Sequence, residues 1–375
     1  MRLLYLYGEE ITGRKAREIH TLNRVLSLAR CGIEVTLVTA YDHSEITAKS
    51  ELLTMSGGNL SGIEFHSFSR QWKIGGVPIK SSAHFYHQVG EWIKKQNSFD
   101  VVYGIHLKAA AFIKKSFPKL PFVFESHEVF SDAFDSRSWR YRKLCTQEQA
   151  VYQKVDAVVS TSHYLLTQIE KSFSIPKSRL VSPNCAEACF FEWDLERADS
   201  KELLYLGSFQ HWKGVSNAIQ AMKLLPDFHL TIVGGNDREI EALRNEAPVN
   251  VRFLGFLPHD QVQAVMERAS IALIPNRLTP MNSLQTFPMK LVEYAAAGKK
   301  IVTTDLPILK ELRPGDWCSR VPADQPEAIA RAVKEQALKV QDRLEIRAWA
   351  KSFQWGPQAE RIHLFIAELL ILLKK

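Results

Sequence analysis

Apolar and polar positions follow two alternating periods along almost the whole chain. RLLYLY (2–7), IEVTLVT (33–39), DVVYGI (100–105), PFVFE (121–125) and VDAVVST (155–161) are apolar on both faces. Such runs predict strands buried in a parallel sheet with helices on either side. Between the first two, KAREIHTLNRVLSLARCG spaces its apolar residues for a helix and stops at Gly32, which predicts a βαβ unit. The alternation restarts with ELLYLG (202–207), FHLTIVG (228–234), VRFLGF (251–256), IALIP (271–275) and KIVTTD (300–305). Residues 185–200, CAEACFFEWDLERADS, follow neither period.

The expected class is α/β, with two doubly wound, Rossmann-like domains facing across a cleft. The first covers 1–185, a linker 186–200, the second 201–352, and a C-terminal helix 353–375 is able to dock on either domain and to cross back. Ligand sites in such domains lie outside the carboxyl ends of the strands.

A chain of 375 residues, 46% hydrophobic and 24% charged, suits a soluble globular protein with more than one core. Its five cysteines (Cys31, Cys145, Cys185, Cys189 and Cys318) are odd in number and scattered, as free thiols in a reducing compartment are. Cys185 and Cys189 have no second pair nearby, which argues against zinc. The opening MRLLYLYGEE is too short an apolar run for a signal peptide, and Glu368 interrupts the apolar C-terminus. The expected location is therefore cytoplasmic, with peripheral contact at the inner membrane face as an option. The net charge of +7 favours an acidic partner, a nucleotide-linked substrate or an anionic membrane surface. No nucleic-acid motif is present, so nucleic acid is not an expected partner.

Two stretches carry candidate chemistry. TFPMKLVEYAAAGKK (286–300) reads as a helix opening near Pro288 and ending at Gly298. The free N–H groups at its start attract an anion, and Lys290 is within reach of one bound there. Glu293, one turn on, has two carboxylate oxygens that match a sugar diol. A solvated Lys–Glu surface pair is the plain alternative. SFQHWKG, after the strand ending at Gly207, brings in Lys213 as a mobile cation, though such a turn is commonly only a turn.

SFQHWKG, VRFLGFLPHDQV and TFPMKLVEYAAAGKKIVTTDLP, in this order and spacing, resemble the donor-binding half of GT-B glycosyltransferases of family 4. FQWGPQAERI is similar to that family's C-terminal element. The resemblance implies that Lys213 contacts the donor diphosphate and Glu293 the ribose. The backbone around Phe256 and Leu257 would hold the base, and Gly207, Lys290 and Leu291 would line the donor site. Gln285 stands where the family commonly has a sugar-binding glutamate, and Ser208 where an arginine often follows the glycine. Thr286 and Phe287 would offer main-chain N–H groups.

In the first half the resemblance makes His127, in FVFESHEVF, the candidate beside the transferred sugar. His106, Glu128, Gly13 and Arg14 are candidates for the acceptor side, and Asn184 matches a hinge asparagine. Lys15 and Arg17 are further cations in that first loop. FDSRSWRYRKL (134–144) mixes basic and aromatic side chains and is a candidate acceptor or membrane contact.

No Asp-x-Asp motif and no His/Cys/Asp cluster at ligand spacing appear, so no metal and no cofactor are expected. The implied activity is a retaining, metal-independent hexosyl transfer from a UDP- or GDP-sugar to a hydroxyl of a saccharide or lipid-linked acceptor. Synthesis of surface polysaccharide or glycolipid is the implied setting. An epimerase or hydrolase of the same architecture, or an inactive nucleotide-sugar-binding partner, is the alternative.

Overall fold

The computed structural model describes residues 1–13, 15–74, 77–193, 199–257, 259–279, 287–340 and 342–374. Two compact units result: residues 1–184 with 355–375, and residues 185–354.

The first unit runs β1 (Arg2–Tyr7), α1 (Ala16–Arg30), β2 (Glu34–Ala40), α2 (Glu45–Met55), β3 (Ile63–Phe68) and a hairpin of β4 (Gln71–Ile74) and β5 (Val77–Lys80). It continues with α3 (Ser82–Ile93), β6 (Val101–Gly104), α4 (Leu107–Ser116), β7 (Phe122–Ser126), α5 (Trp139–Tyr152), β8 (Ala157–Ser160), α6 (His163–Ser172) and β9 (Arg179–Val181). The strands form one parallel sheet in the order β3-β2-β1-β6-β7-β8-β9. Leu3 to Tyr7 are fully buried, because helices cover both faces of this central strand. Ser44, Ser81, Ser138 and Ser162 each accept the N–H three residues on, fixing where α2, α3, α5 and α6 begin.

The second unit runs α7 (Cys189–Glu192), β10 (Asp199–Leu206), α8 (Val215–Met222), β11 (His229–Val233), α9 (Asp237–Arg244), β12 (Val251–Gly255), α10 (His259–Arg268) and β13 (Ala269–Ile274). Then come α11 (Met289–Ala296), β14 (Lys300–Thr304), α12 (Leu309–Leu312), β15 (Cys318–Val321), α13 (Pro326–Leu338) and α14 (Arg343–Ala350). Its parallel sheet has the order β12-β11-β10-β13-β14-β15, which reverses direction between β10 and β13. Ligands of doubly wound sheets bind at the carboxyl ends beside such a reversal. In the first sheet the reversal falls between β1 and β6.

The chain ends with α15 (Trp355–Leu373), which returns to the first unit and packs on α1. Trp355, Ala359, Ile362, Ile366 and Leu369 form its buried stripe at helical spacing. No described helix is long and apolar enough to cross a membrane.

The strands that the apolar runs did not predict are β3, β9, β15 and the hairpin. The first three are sheet edges and the hairpin stands apart from both sheets. Glu64, His66 and Ser67 interrupt IEFHSF, and Ser319 and Arg320 interrupt CSRV, so neither forms a continuous apolar run.

Candidate active site

The reversal point of the second sheet is built from the loop after β10 and the segment after β13. The first loop ends in a 3₁₀ turn, His211–Lys213, and then Gly214 in left-handed conformation at φ 66°. A Cβ on Gly214 would lie 1.9 Å from the Pro275 carbonyl oxygen, so the two loops approach as closely as backbone allows. Arg277 stitches them together. Its N–H donates to the Trp212 carbonyl at 2.9 Å, and its guanidinium donates to Ser216 Oγ at 3.1 Å and meets Asp324 at 3.3 Å. Leu206 N–H, at the end of β10, donates to the Tyr294 hydroxyl of α11 at 2.8 Å.

These contacts bring Lys213, Lys290 and Glu293 together. Glu293 is only 8% exposed, although it stands on an amphipathic helix, and Lys290 Nζ donates to its Oε2 at 2.5 Å. Lys213 Nζ lies 4.0 Å from the centre of the Trp212 ring. Burial, then the charge of Lys290, pushes the Lys213 ammonium down to about 8, against a smaller upward pull from Glu293. Two cations and one half-paired carboxylate are thereby held in partly desolvated surroundings, where a polyanion gains more than in open water.

Gly207 follows β10 directly, with its N–H on the Val233 carbonyl at 3.0 Å, and Ser208 is exposed. Phe256 is 69% exposed after β12, and Leu257 beside it is half-buried. Two expected donor-site residues belong to the core. Leu291 has no exposed surface and its N–H is taken by the Pro288 carbonyl; Phe287 is buried against Phe353. Their side chains complete the packing beneath α11, so any contact they make with a ligand is through the backbone. The helix start is also less open than its sequence suggests, because Met289 N–H is bonded to the Phe287 carbonyl. Gln285, Thr286 and Arg14 lie outside the described residues.

In the first unit His106 opens α4 at the reversal point, and its Nδ1 accepts the Gly8 N–H from the end of β1 at 3.3 Å. That bond leaves the proton of the neutral ring on Nε2, which is buried without a partner among the described residues. Burial first, then the charge of Arg17, pushes His106 down to about 3. Gly13 takes φ 72°, Arg17 pairs with Glu128, and Glu18 accepts both the N–H and the hydroxyl of Thr12 at 2.9 and 2.7 Å. Asn184, the last residue before the break between units, is 7% exposed.

His127, just past β7, donates from Nε2 to Glu125 Oε1 at 3.1 Å, and His20 of α1 donates to the same oxygen at 2.7 Å. Sequence spacing showed no metal cluster, yet the fold brings ligand atoms of His20, Glu125 and His127 within 4.8 Å of one another. These groups already bond to each other, and Arg24 Nη2 lies 3.2 Å from the same carboxylate oxygen. A cation there would have to break that network against the arginine's charge, so the donor set does not fit one.

His20, Arg24, Glu125, Tyr294 and Arg277 were not singled out in the sequence. A signal existed for three of them. His20 and Arg24 are polar, four apart and on the covered face of α1, and Glu125 is a carboxylate inside a strand apolar on both faces.

A family model described as "Glycosyltransferase Family 4" matches residues 18–183, and one described as "Glycosyl transferases group 1" matches residues 200–337. The chain belongs to the family 4, group 1 glycosyltransferases. Within that family it is 33% identical over 118 residues to a glycogen synthase of Mycobacterium tuberculosis, a match covering 29% of this chain and 27% of that protein. It is 24% identical over 223 residues to the putative teichuronic acid biosynthesis glycosyltransferase TuaH of Bacillus subtilis, covering 54% of this chain and 55% of that one. The chain thus spans about a quarter and about half of the lengths of these curated relatives. The crystal structure of Anabaena Alr3699/HepE in complex with UDP superposes with a TM-score of 0.73 at 15% identity, covering 98% of this chain and all of that one. The fold is GT-B.

Proposed function

We propose that the protein is a retaining hexosyltransferase that moves a sugar from a UDP- or GDP-sugar to the hydroxyl of a saccharide or lipid-linked acceptor, without a metal ion. The observation that carries this reading is the convergence of Lys213, Lys290 and Glu293 at the reversal point of the second sheet. As the bond from the anomeric carbon to the diphosphate breaks, its electron pair goes to the diphosphate oxygen. Lys213 and Lys290 stabilise that growing charge. Fixed charges of this kind are worth about 2.7–4 kcal/mol of barrier each. Glu293 exchanges its Lys290 partner for the ribose diol when the diphosphate takes the lysine. The acceptor oxygen then bonds the anomeric carbon on the face the diphosphate leaves and gives its proton to the departing diphosphate oxygen, which keeps the configuration.

The names of the relatives support a role in building surface polysaccharide or glycolipid. A structural neighbour that holds UDP supports a nucleotide-linked donor. The start of α5 offers a surface for a lipid-linked acceptor or an anionic membrane. Trp139 is 65% exposed there, with Arg140 and Lys143 each within 6 Å of its ring. Charge reversal at Arg137, Arg140 and Arg142 is expected to weaken binding to anionic liposomes; unchanged binding rejects this contact.

The test is a thermal-shift panel of UDP-, GDP- and ADP-sugars, followed by product analysis with the stabilising donor. Stabilisation by one UDP- or GDP-sugar and transfer to an added acceptor is the expected result. Donor breakdown that no acceptor redirects would indicate a hydrolase.

A further inference from the structure

Glu125 has no exposed surface and receives four donors. His20, His127 and Arg24 share Oε1, and the Tyr103 hydroxyl donates to Oε2 at 2.6 Å. Burial alone would raise this carboxyl, but the charge of Arg24 and the bonds from His127 and His20 hold it well below the usual range. An ionised carboxylate only accepts hydrogen bonds, so each histidine must turn an Nε2–H toward it. Arg24 balances the charge of Glu125, and burial pushes the His20 ring down to about 4.

A neutral ring with its proton on Nε2 carries a bare lone pair on Nδ1. In His20 that atom is buried and without a partner among the described residues. His127 is different, being half-buried at the carboxyl end of β7. The braces come from every side: His20 and Arg24 from α1, Tyr103 from β6, and Trp355 from α15. The Trp355 ring lies 5.1 Å from that of His20 and 5.1 Å from the Arg24 guanidinium. The His20 ring meets that of His127 edge-on at 4.4 Å.

We infer that Glu125, braced by His20, Arg24 and Tyr103, is a positioning residue that locks His127 in the Nε2–H tautomer, so that His127 meets the substrate as a hydrogen-bond acceptor. The word substrate rests on the transferase reading above. The group facing His127 must then be a donor, as a sugar hydroxyl is.

The tautomer is read directly by long-range proton–nitrogen correlation spectra of protein labelled with nitrogen-15 histidine, with His127→Gln identifying the signal. The expected result is a neutral Nε2–H ring in the wild type and a mixture of tautomers in Glu125→Gln. A neutral Nδ1–H ring, or a doubly protonated one, in the wild type overturns the inference, and this holds even if the variant does not fold. In a folded Glu125→Gln protein, turnover should drop on the order of 10²-fold, the usual cost of a misplaced reacting group, with UDP affinity unchanged. Undiminished turnover in that variant also overturns it. A wild type with the Nε2–H ring that transfers no sugar from any donor contradicts the transferase reading and supports the lock.

Discussion

The Lys213 ammonium and the Glu293 carboxylate, 80 positions apart in the chain, feel each other's charge at one end of one sheet. Lys290 is paired with Glu293 and repels Lys213. Such a triad is electrostatically incomplete, with two cations against one anion, and an incoming diphosphate completes it.

Binding of that anion should depend on pH. Free Lys213 titrates at about 8, and a bound diphosphate favours its ammonium form and raises that value. Above pH 8 binding must therefore take up a proton, so affinity falls as pH rises, by up to about tenfold per unit. Calorimetric titration of UDP at pH 7 and pH 9 is expected to show the weakening in the wild type. In Lys213→Met the slope is expected to vanish, and the same slope there would rule out this lysine as its source.

Glu293→Ala should separate the two halves of the ligand. Loss of bonds to a charged acceptor costs about 1.5–3 kcal/mol, so UDP affinity should drop by one to two orders of magnitude. Pyrophosphate, which has no ribose, should bind Glu293→Ala as well as the wild type or better, because a negative charge is removed. Equal losses for both ligands would place Glu293 away from the ribose.

Gly214→Ala tests the joint between the two loops. A left-handed alanine with its Cβ against the Pro275 carbonyl costs about 1–3 kcal/mol unless the loops part. Thermal denaturation should show a melting temperature several degrees lower, and UDP should bind more weakly because the Lys213 turn is displaced. An unchanged melting temperature would show that the loops have room to spare.

Acid should destabilise the fold before the carboxylates titrate. Burial pushes His20 down to about 4 and His106 to about 3. Below the ordinary histidine value near 6.5 the unfolded chain takes up protons that the folded one refuses, so stability falls as pH drops from 6.5 toward 4. The fully buried His20 alone accounts for up to about 2 kcal/mol by pH 5. Glu148, whose carboxyl burial raises, works in the opposite direction, while Glu18 and Glu125 lose their contribution only at lower pH. Urea denaturation at pH 7 and pH 5 should show the loss, and equal stabilities would contradict it.

The central strands were legible because a strand covered on both faces has to be apolar throughout, as RLLYLY and IALIP are. Edge strands such as β3 escaped because polar residues interrupt their apolar run. Lys213 in a loop and Glu293 on a helix were legible as suitable residue types, and the family resemblance implied their roles. Glu125 was not, because its use depends on His20 and Arg24, more than a hundred positions away, arriving at the same carboxylate. Leu291 and Phe287 pack their side chains inward, and for Phe287 the expected contact was its main-chain N–H, which that burial does not touch.

The most direct measurement is calorimetric titration of UDP and GDP into the wild type, Lys213→Ala and Glu293→Ala. One nucleotide is expected to bind the wild type at a single site, and each variant to weaken it at least about tenfold while still folding. Wild-type affinity in both folded variants, or no binding of either nucleotide to the wild type, would contradict it.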